Sequence, residues 1–186
     1  MIHHRNGVSD SRRRGSRALE MFAAAACAAM FGIAPLLAGE QPAEPEVLGA
    51  AKPDQILKIS PEWKTNYDVY SPDSAAVAKI SEAASKARGD LRIEVIFGSW
   101  CSDSVAQVPA LLKVLDQVGK EALPATYTGV HRARKDREER ITALKIEAIP
   151  TFIVYRKDAE IGRMVETPKL SVEADLAEIL APPAKP

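Results

Sequence analysis

Apolar positions along the chain change period several times, and each change marks an element. Val77, Ile80, Ala83, Ala84 and Ala87 recur at three- and four-residue spacing, the pattern of a helix with one apolar face. Asp73 or Ser74 can cap its start and Gly89-Asp90 ends it, which predicts a helix over 75–87. Residues 91–97 then form a β-branched and apolar run, read as a buried strand. Gly98-Ser99 breaks that run. Helical spacing returns directly after Trp100-Cys101, carried by Val105, Val108, Leu111, Leu112, Leu115 and Val118 and stopped by Gly119. Pro109 removes a backbone donor inside this helix and predicts a bend there.

The second half continues the alternation. Residues 123–130 read as a second strand, and 136–145 as a charged surface helix with Ile141 and Leu144 turned inward. Residues 146–155 form a turn running into a strand; Lys157-Asp158 turns the chain, and 160–165 returns beside it with a bulge at Gly162. Ser171 caps a last helix over 172–180. Upstream, Ile56-Leu57-Lys58-Ile59 reads as a short β segment, and Trp63, Tyr67, Val69 and Tyr70 as loosely alternating aromatic and apolar edge packing. Helix, strand, helix, strand, helix, hairpin, helix is the order of a three-layer α/β/α sandwich, with a central mixed sheet and a C-terminal β-hairpin plus helix.

Composition changes this picture mainly at the N-terminus. The chain has 186 residues, with 25 basic and 25 acidic side chains and 46% hydrophobic content. That suits one domain with its own core and gives no electrostatic case for a nucleic-acid partner. Arg5, Arg12, Arg13, Arg14 and Arg17 precede an uncharged apolar stretch from Met21 to Ala38. Positive region, apolar region and small-residue exit together read as an export signal over 1–39, implying a periplasmic or extracellular protein. The rival is an uncleaved membrane anchor, since the stretch is just long enough to span a bilayer. Twin-arginine and lipoprotein matches, at Ser11-Arg12-Arg13 and Cys27, are weak. The Pro-, Ala- and Glu-rich residues 40–60 read as a flexible spacer, 61–181 as the folded domain and 182–186 as a frayed tail.

Cysteine usage sharpens the chemistry. Of the two cysteines, Cys27 lies inside the export segment, so its removal leaves Cys101 alone and no internal disulfide. The order strand, Gly-Ser, Trp-Cys, helix puts the Cys101 sulfur at a first helical turn, beside N–H groups that favour a thiolate. The charge of Asp103 opposes that effect. Ser104 can hydrogen-bond the sulfur or help cap the helix with Asp103. A metal reading would join Cys101 to His131 or to His3 and His4, but the ligands lack any regular spacing. Nothing before Cys101 resembles the Thr-x-x-Cys arrangement of a peroxidase. A buried, inert Cys101 is the bland alternative.

Trp100-Cys101-Ser102-Asp103-Ser104 and Pro109, with Ala148-Ile149-Pro150-Thr151 ahead of the last hairpin, resemble the thioredoxin superfamily over about 63–180. Ser104 stands where thioredoxin itself has a second cysteine. The chain is most similar to exported thioredoxin-like proteins with Trp-Cys-x-Asp-Ser and a Glu-(Ser/Thr)-Pro after the last strand, here Glu166-Thr167-Pro168. The resemblance implies a cis Ile149-Pro150 bond lying against Cys101, so that an extended peptide can pair with the Ile149 backbone. It also implies a catalytic set of Cys101, Ser104 and Pro150, with Trp100, Asp103, Ile149 and Thr151 facing the substrate, and neither metal nor cofactor. A dithiol enzyme uses its second thiol to release the mixed disulfide formed by the first, which Ser104 cannot do. The expectation is therefore monothiol exchange with protein thiols, disulfides or a small thiol, resolved by an external thiol. The alternative is a module that binds extended peptide or a protein partner without turnover.

Overall fold

A computed structural model describes residues 46–133 and 138–182. The export segment, with Cys27, lies outside the described residues. Five strands make one sheet: β1 (Gly49–Ala51), β2 (Leu91–Phe97), β3 (Ala125–Gly129), β4 (Thr151–Arg156) and β5 (Ala159–Val165), in the order β1-β3-β2-β4-β5. The pair β2–β3 is parallel, joined by the long helix α4 (Ser102–Val118); the remaining neighbours are antiparallel. The other helices are α1 (Pro53–Ile56), α2 (Pro61–Val69), α3 (Ser74–Ala87), α5 (Glu138–Ala143) and α6 (Val172–Leu180).

The three expected layers form, but unequally. Odd positions of β2, namely Leu91, Ile93, Val95 and Phe97, share one core with Trp63 of α2, Ile80 of α3, Leu111 of α4 and Leu176 of α6. Even positions face the opposite way, where Ile96, Ile153 and Tyr155 meet Ile141 and Leu144, in and just after the short α5. This alternation follows from the two-residue period of a strand. On the thinly covered face Glu94 is buried against the Arg140 guanidinium, and Arg92 stacks on Tyr155 at 3.7 Å.

Several local expectations change. The residues read as a flexible spacer contain β1 and α1, and Ile56 is fully buried, so the β reading of Ile56–Ile59 also fails. Lys52 then Pro53 at the first helical position starts a turn of helix there, since proline is pre-set for that site. The 63–70 stretch forms α2, also opened by a proline, Pro61. Alternation over so short a stretch could not be told from a helical turn. The bulge falls at Ile161, one residue before Gly162: Val154 pairs with Gly162 and Tyr155 with Glu160. Gly162 is needed for a different reason, because a Cβ there would sit 2.8 Å from Ile179 Cγ2 on α6. Helix α4 runs unbroken through Pro109.

Both helix caps are side-chain caps. Asp73 accepts from the Ala76 N–H at 2.8 Å and Ser171 from the Ala174 N–H at 3.2 Å. Glu173 ties α6 to the start of α3: Tyr70 Oη donates to it at 2.6 Å and the Asp73 N–H at 3.1 Å. Burial pushes the Glu173 carboxyl upward, but these donors more than reverse that and hold it below the ordinary 4.5. A carboxyl lowered in the folded state stabilises fully above its unfolded value and loses that contribution as pH falls through the folded one. Glu173→Gln is therefore expected to cost about 1–3 kcal/mol at neutral pH. In urea unfolding, the gap to the parent should close as pH falls below 4.5; a gap constant with pH would refute the assignment.

Candidate functional site around Cys101

Only four residues, 98–101, connect the end of β2 to the start of α4. Cys101 is the N-cap residue, with extended backbone at φ −94° and ψ 123°, and its N–H donates to Gly98 O at 3.1 Å. Its side chain makes no capping bond. The sulfur instead faces across the site, where Sγ–H donates to Ile149 O at 3.3 Å. Cys101 remains partly exposed.

Ser104 does not meet the sulfur. It is fully buried, and its Oγ accepts the Gly98 N–H at 3.2 Å. Its hydroxyl oxygen therefore holds the connector that carries Cys101, where the sequence reading places it against the thiol or at the helix cap. The connector is tight for a second reason. A Cβ at Gly98 would lie 2.7 Å from Ile149 Cδ1 and 2.9 Å from the Trp100 indole. Glycine is what allows Trp100 and Ile149 to close over the strand end.

Trp100 is half-buried and anchored, its Nε1–H donating to Val130 O at 3.2 Å. The Arg132 guanidinium lies over its ring at 4.8 Å, a cation–π arrangement. Asp103, in the first turn of α4, is half-buried and has no hydrogen-bond or ion-pair partner among the described residues. It thus leaves one carboxylate uncommitted beside Cys101.

The facing wall is the segment before β4. The Ile149–Pro150 peptide bond is cis. Ile149, Pro150 and Thr151 are all buried. The Thr151 hydroxyl donates to Ala148 O at 2.6 Å, so its side chain is used locally and is not on offer to a substrate. Pro150 O accepts the Glu166 N–H at 2.7 Å, which brings Glu166-Thr167-Pro168 to the same wall, beside the exposed Val165. Of the site residues named from sequence, Cys101, Trp100 and Ile149 pack together, with Pro150 following across the cis bond, and form the candidate cleft. Asp103 lies two residues along from Cys101, while Ser104 and Thr151 spend their hydroxyls on Gly98 and Ala148.

Sequence reasoning missed the strap that supports this cleft. Residues 46–51 run across the end of β3, and Ser99 Oγ accepts the Val47 N–H at 3.0 Å. Val47 O would lie 2.2 Å from a Cβ at Gly129, so that glycine gives the strap its place. Nothing in a local pattern signals contacts 52 positions apart. His131 is engaged nearby, accepting from the Ala133 N–H at 2.9 Å through Nδ1 and facing Glu46 through Nε2 at 3.3 Å. No group of three potential ligands capable of holding a metal occurs among the described residues, and His3 and His4 lie outside them.

A family model described as thioredoxin matches residues 62–177. The chain belongs to the thioredoxin family. Among solved structures, the thioredoxin-family chain resembles a Pseudomonas aeruginosa protein of unknown function at 17% identity, with a TM-score of 0.52 over 70% of this chain and 92% of the other. Thioredoxin from Malassezia sympodialis is also 17% identical, covering 50% of this chain and 80% of its own, at a TM-score of 0.41. Oxidised thioredoxin O2 from Arabidopsis thaliana gives 17%, 56% and 85%, at 0.38. No curated protein matches the sequence. The family match makes the fold thioredoxin-like, and the P. aeruginosa protein shares that fold. Among the described residues this member carries one cysteine, Cys101, and no helix long and apolar enough to cross a membrane.

Proposed function

We propose that this thioredoxin-fold protein is exported and exchanges disulfides through Cys101 alone, with release by an external thiol. One observation carries the reading: a partly exposed sulfur at a helix start, 3.3 Å from the carbonyl before Pro150, with a fully buried serine where a resolving thiol would stand. In the first step the Cys101 thiolate attacks one sulfur of a partner disulfide. That S–S bond breaks, a mixed disulfide forms, and the leaving sulfur takes up the proton that Cys101 gave to solvent. An external thiol then attacks the partner's sulfur in the mixed disulfide: a new disulfide joins the two, the bond to Cys101 breaks, and the Cys101 sulfur takes up the external thiol's proton. Electrons come from that thiol, and the chain itself ends unchanged.

Pro150 and Trp100 shape the cleft in which the partner's sulfur must approach, and the Ile149 carbonyl is an acceptor for an extended partner strand. Thus the N–H of a docked strand and the Cys101 thiol address the same oxygen, so docking and release of the sulfur are coupled. Peptide binding without turnover is the second reading, favoured by that same bond from Sγ–H to Ile149 O.

Iodoacetamide alkylation of Cys101 across pH, with trapping of mixed disulfides in cells and N-terminal sequencing of the mature chain, tests the proposal. Expected are alkylation faster than that of a free cysteine, adducts lost in Cys101→Ala, and a mature terminus near Ala38. Alkylation no faster than a free thiol with no trapped adduct would leave the binding module. Full-length protein in the cytosol would remove export.

A further inference from the structure

Leu91 opens β2 and pairs with Arg156, the last residue of β4. Cys101 lies beyond the other end of β2, about 20 Å away at the ordinary rise of a strand. At the Leu91 end, between the C-terminal ends of α3 and α6, is a cavity of about 630 Å³. That volume is in the range of small-molecule sites.

Its charge is net positive, with four cations to two carboxylates. The two acidic residues lining it are each engaged, Glu82 with Lys86 Nζ at 2.5 Å and Asp90 with Lys157 Nζ at 3.8 Å. Lys79, Arg88 and Arg156 also line it, and none of the three side chains has a hydrogen-bond, ion-pair or ring partner among the described residues. A helix C-terminus favours nearby cations, which accounts for Lys86 and for Arg88 at the α3 C-cap. It does not account for Lys79, more than a turn back in α3, or for Arg156 on β4. Four cations against two carboxylates leave the opening net positive, with Lys79 and Arg156 brought to it from α3 and β4, and a cleft with an excess of one sign concentrates counter-ions. The remaining wall is apolar: small side chains on the facing helices leave the space, and Leu180 and Pro182 bound it.

We infer that this cavity binds a small organic anion, a phosphate or carboxylate head held by Lys79, Arg88 and Arg156 with an apolar body of ring or short-chain size against Leu180 and Pro182. The site does not rest on the redox reading of Cys101. Two sources supply such chemistry, a free amphiphilic anion and an anionic membrane lipid.

The full chain is titrated with 1-naphthyl phosphate and, separately, with neutral 1-naphthol, with binding followed by calorimetry and by amide shifts. The phosphate should bind at least about tenfold more tightly than the naphthol, and more weakly as salt is raised. Shifts should gather at Ala87, Ala177 and Leu180 and spare Trp100 and Cys101. The combined Lys79→Gln, Arg88→Gln and Arg156→Gln variant should lose at least about tenfold in affinity, and Ala87→Glu should abolish binding; unchanged melting shows that both remain folded. Phosphatidylcholine vesicles with and without phosphatidylglycerol separate the sources. Co-sedimentation that needs the anionic lipid and is lost in the triple variant assigns the lipid; naphthyl phosphate binding without co-sedimentation assigns the free anion. Equal binding of phosphate and naphthol, affinity untouched by the triple variant, or no binding of either probe would overturn the inference.

Discussion

Ser104→Cys is expected to turn the chain into a self-sufficient disulfide reductase while making it less stable. Residue 104 lies in the first turn of α4, three positions after the N-cap Cys101, and its side chain is turned beneath the 98–101 connector that carries the sulfur. A thiol at 104 would attack the mixed disulfide on Cys101 intramolecularly, at an effective concentration no external thiol matches. Turnover of a protein disulfide with dithiothreitol as donor should rise by about tenfold or more over the parent. The substitution also removes the oxygen that accepts the Gly98 N–H at 3.2 Å. Sulfur is a weak acceptor, so about 1–3 kcal/mol of stability should go with it. Ser104→Ala is the control that separates the two effects. It should lose similar stability in urea and gain no reductase activity. A Ser104→Cys protein that is folded yet no faster than the parent would mean that this cleft does not admit a partner disulfide, and peptide binding without turnover would remain.

Trp63→Ala should be strongly destabilising. Trp63 is fully buried on α2, with its ring edge-on to Phe97 at 5.7 Å between centroids and 64° between planes. Truncating a core tryptophan costs about 3–5 kcal/mol, against a total stability of about 5–15 kcal/mol for a domain of ordinary size. Its indole N–H, however, is buried without a hydrogen-bond partner. Trp63→Phe removes that unpaired donor, whose desolvation costs about 1–3 kcal/mol, and so offsets much of the volume it loses. Guanidinium unfolding should place phenylalanine near the parent and alanine far below. Equal losses for the two would show that the N–H finds a partner. Phe97 is the last residue of β2, one position before Gly98, so the alanine variant should also loosen the Cys101 connector.

Much of this architecture is legible because it is set by local chemistry. The period-two run 91–97, the three-four spacing after Cys101, and the caps at Asp73 and Ser171 each act within a few residues. Short pieces were harder to read. The turn of helix at Pro53–Ile56 and the three-residue β1 carry too few positions for a period to emerge, and β1 exists only because β3 offers it an edge.

The site divides in the same way. Its sulfur, its tryptophan and its proline turn stand out in the sequence as Trp100-Cys101 and Ile149-Pro150, because each motif has a fixed place beside a strand end. Their meeting does not. It required β4 to pair antiparallel with β2, Ile96 opposite Thr151, which delivers Ile149 to a sulfur 48 positions earlier in the chain. The same pairing turned Thr151 inward, and burial of Ser104 committed its oxygen to Gly98. The sequence by itself determined where the candidate residues stand and which elements hold them. Only the tertiary structure decided which polar groups are spent on the fold, because a buried hydroxyl must be satisfied by whatever packing places within hydrogen-bond reach.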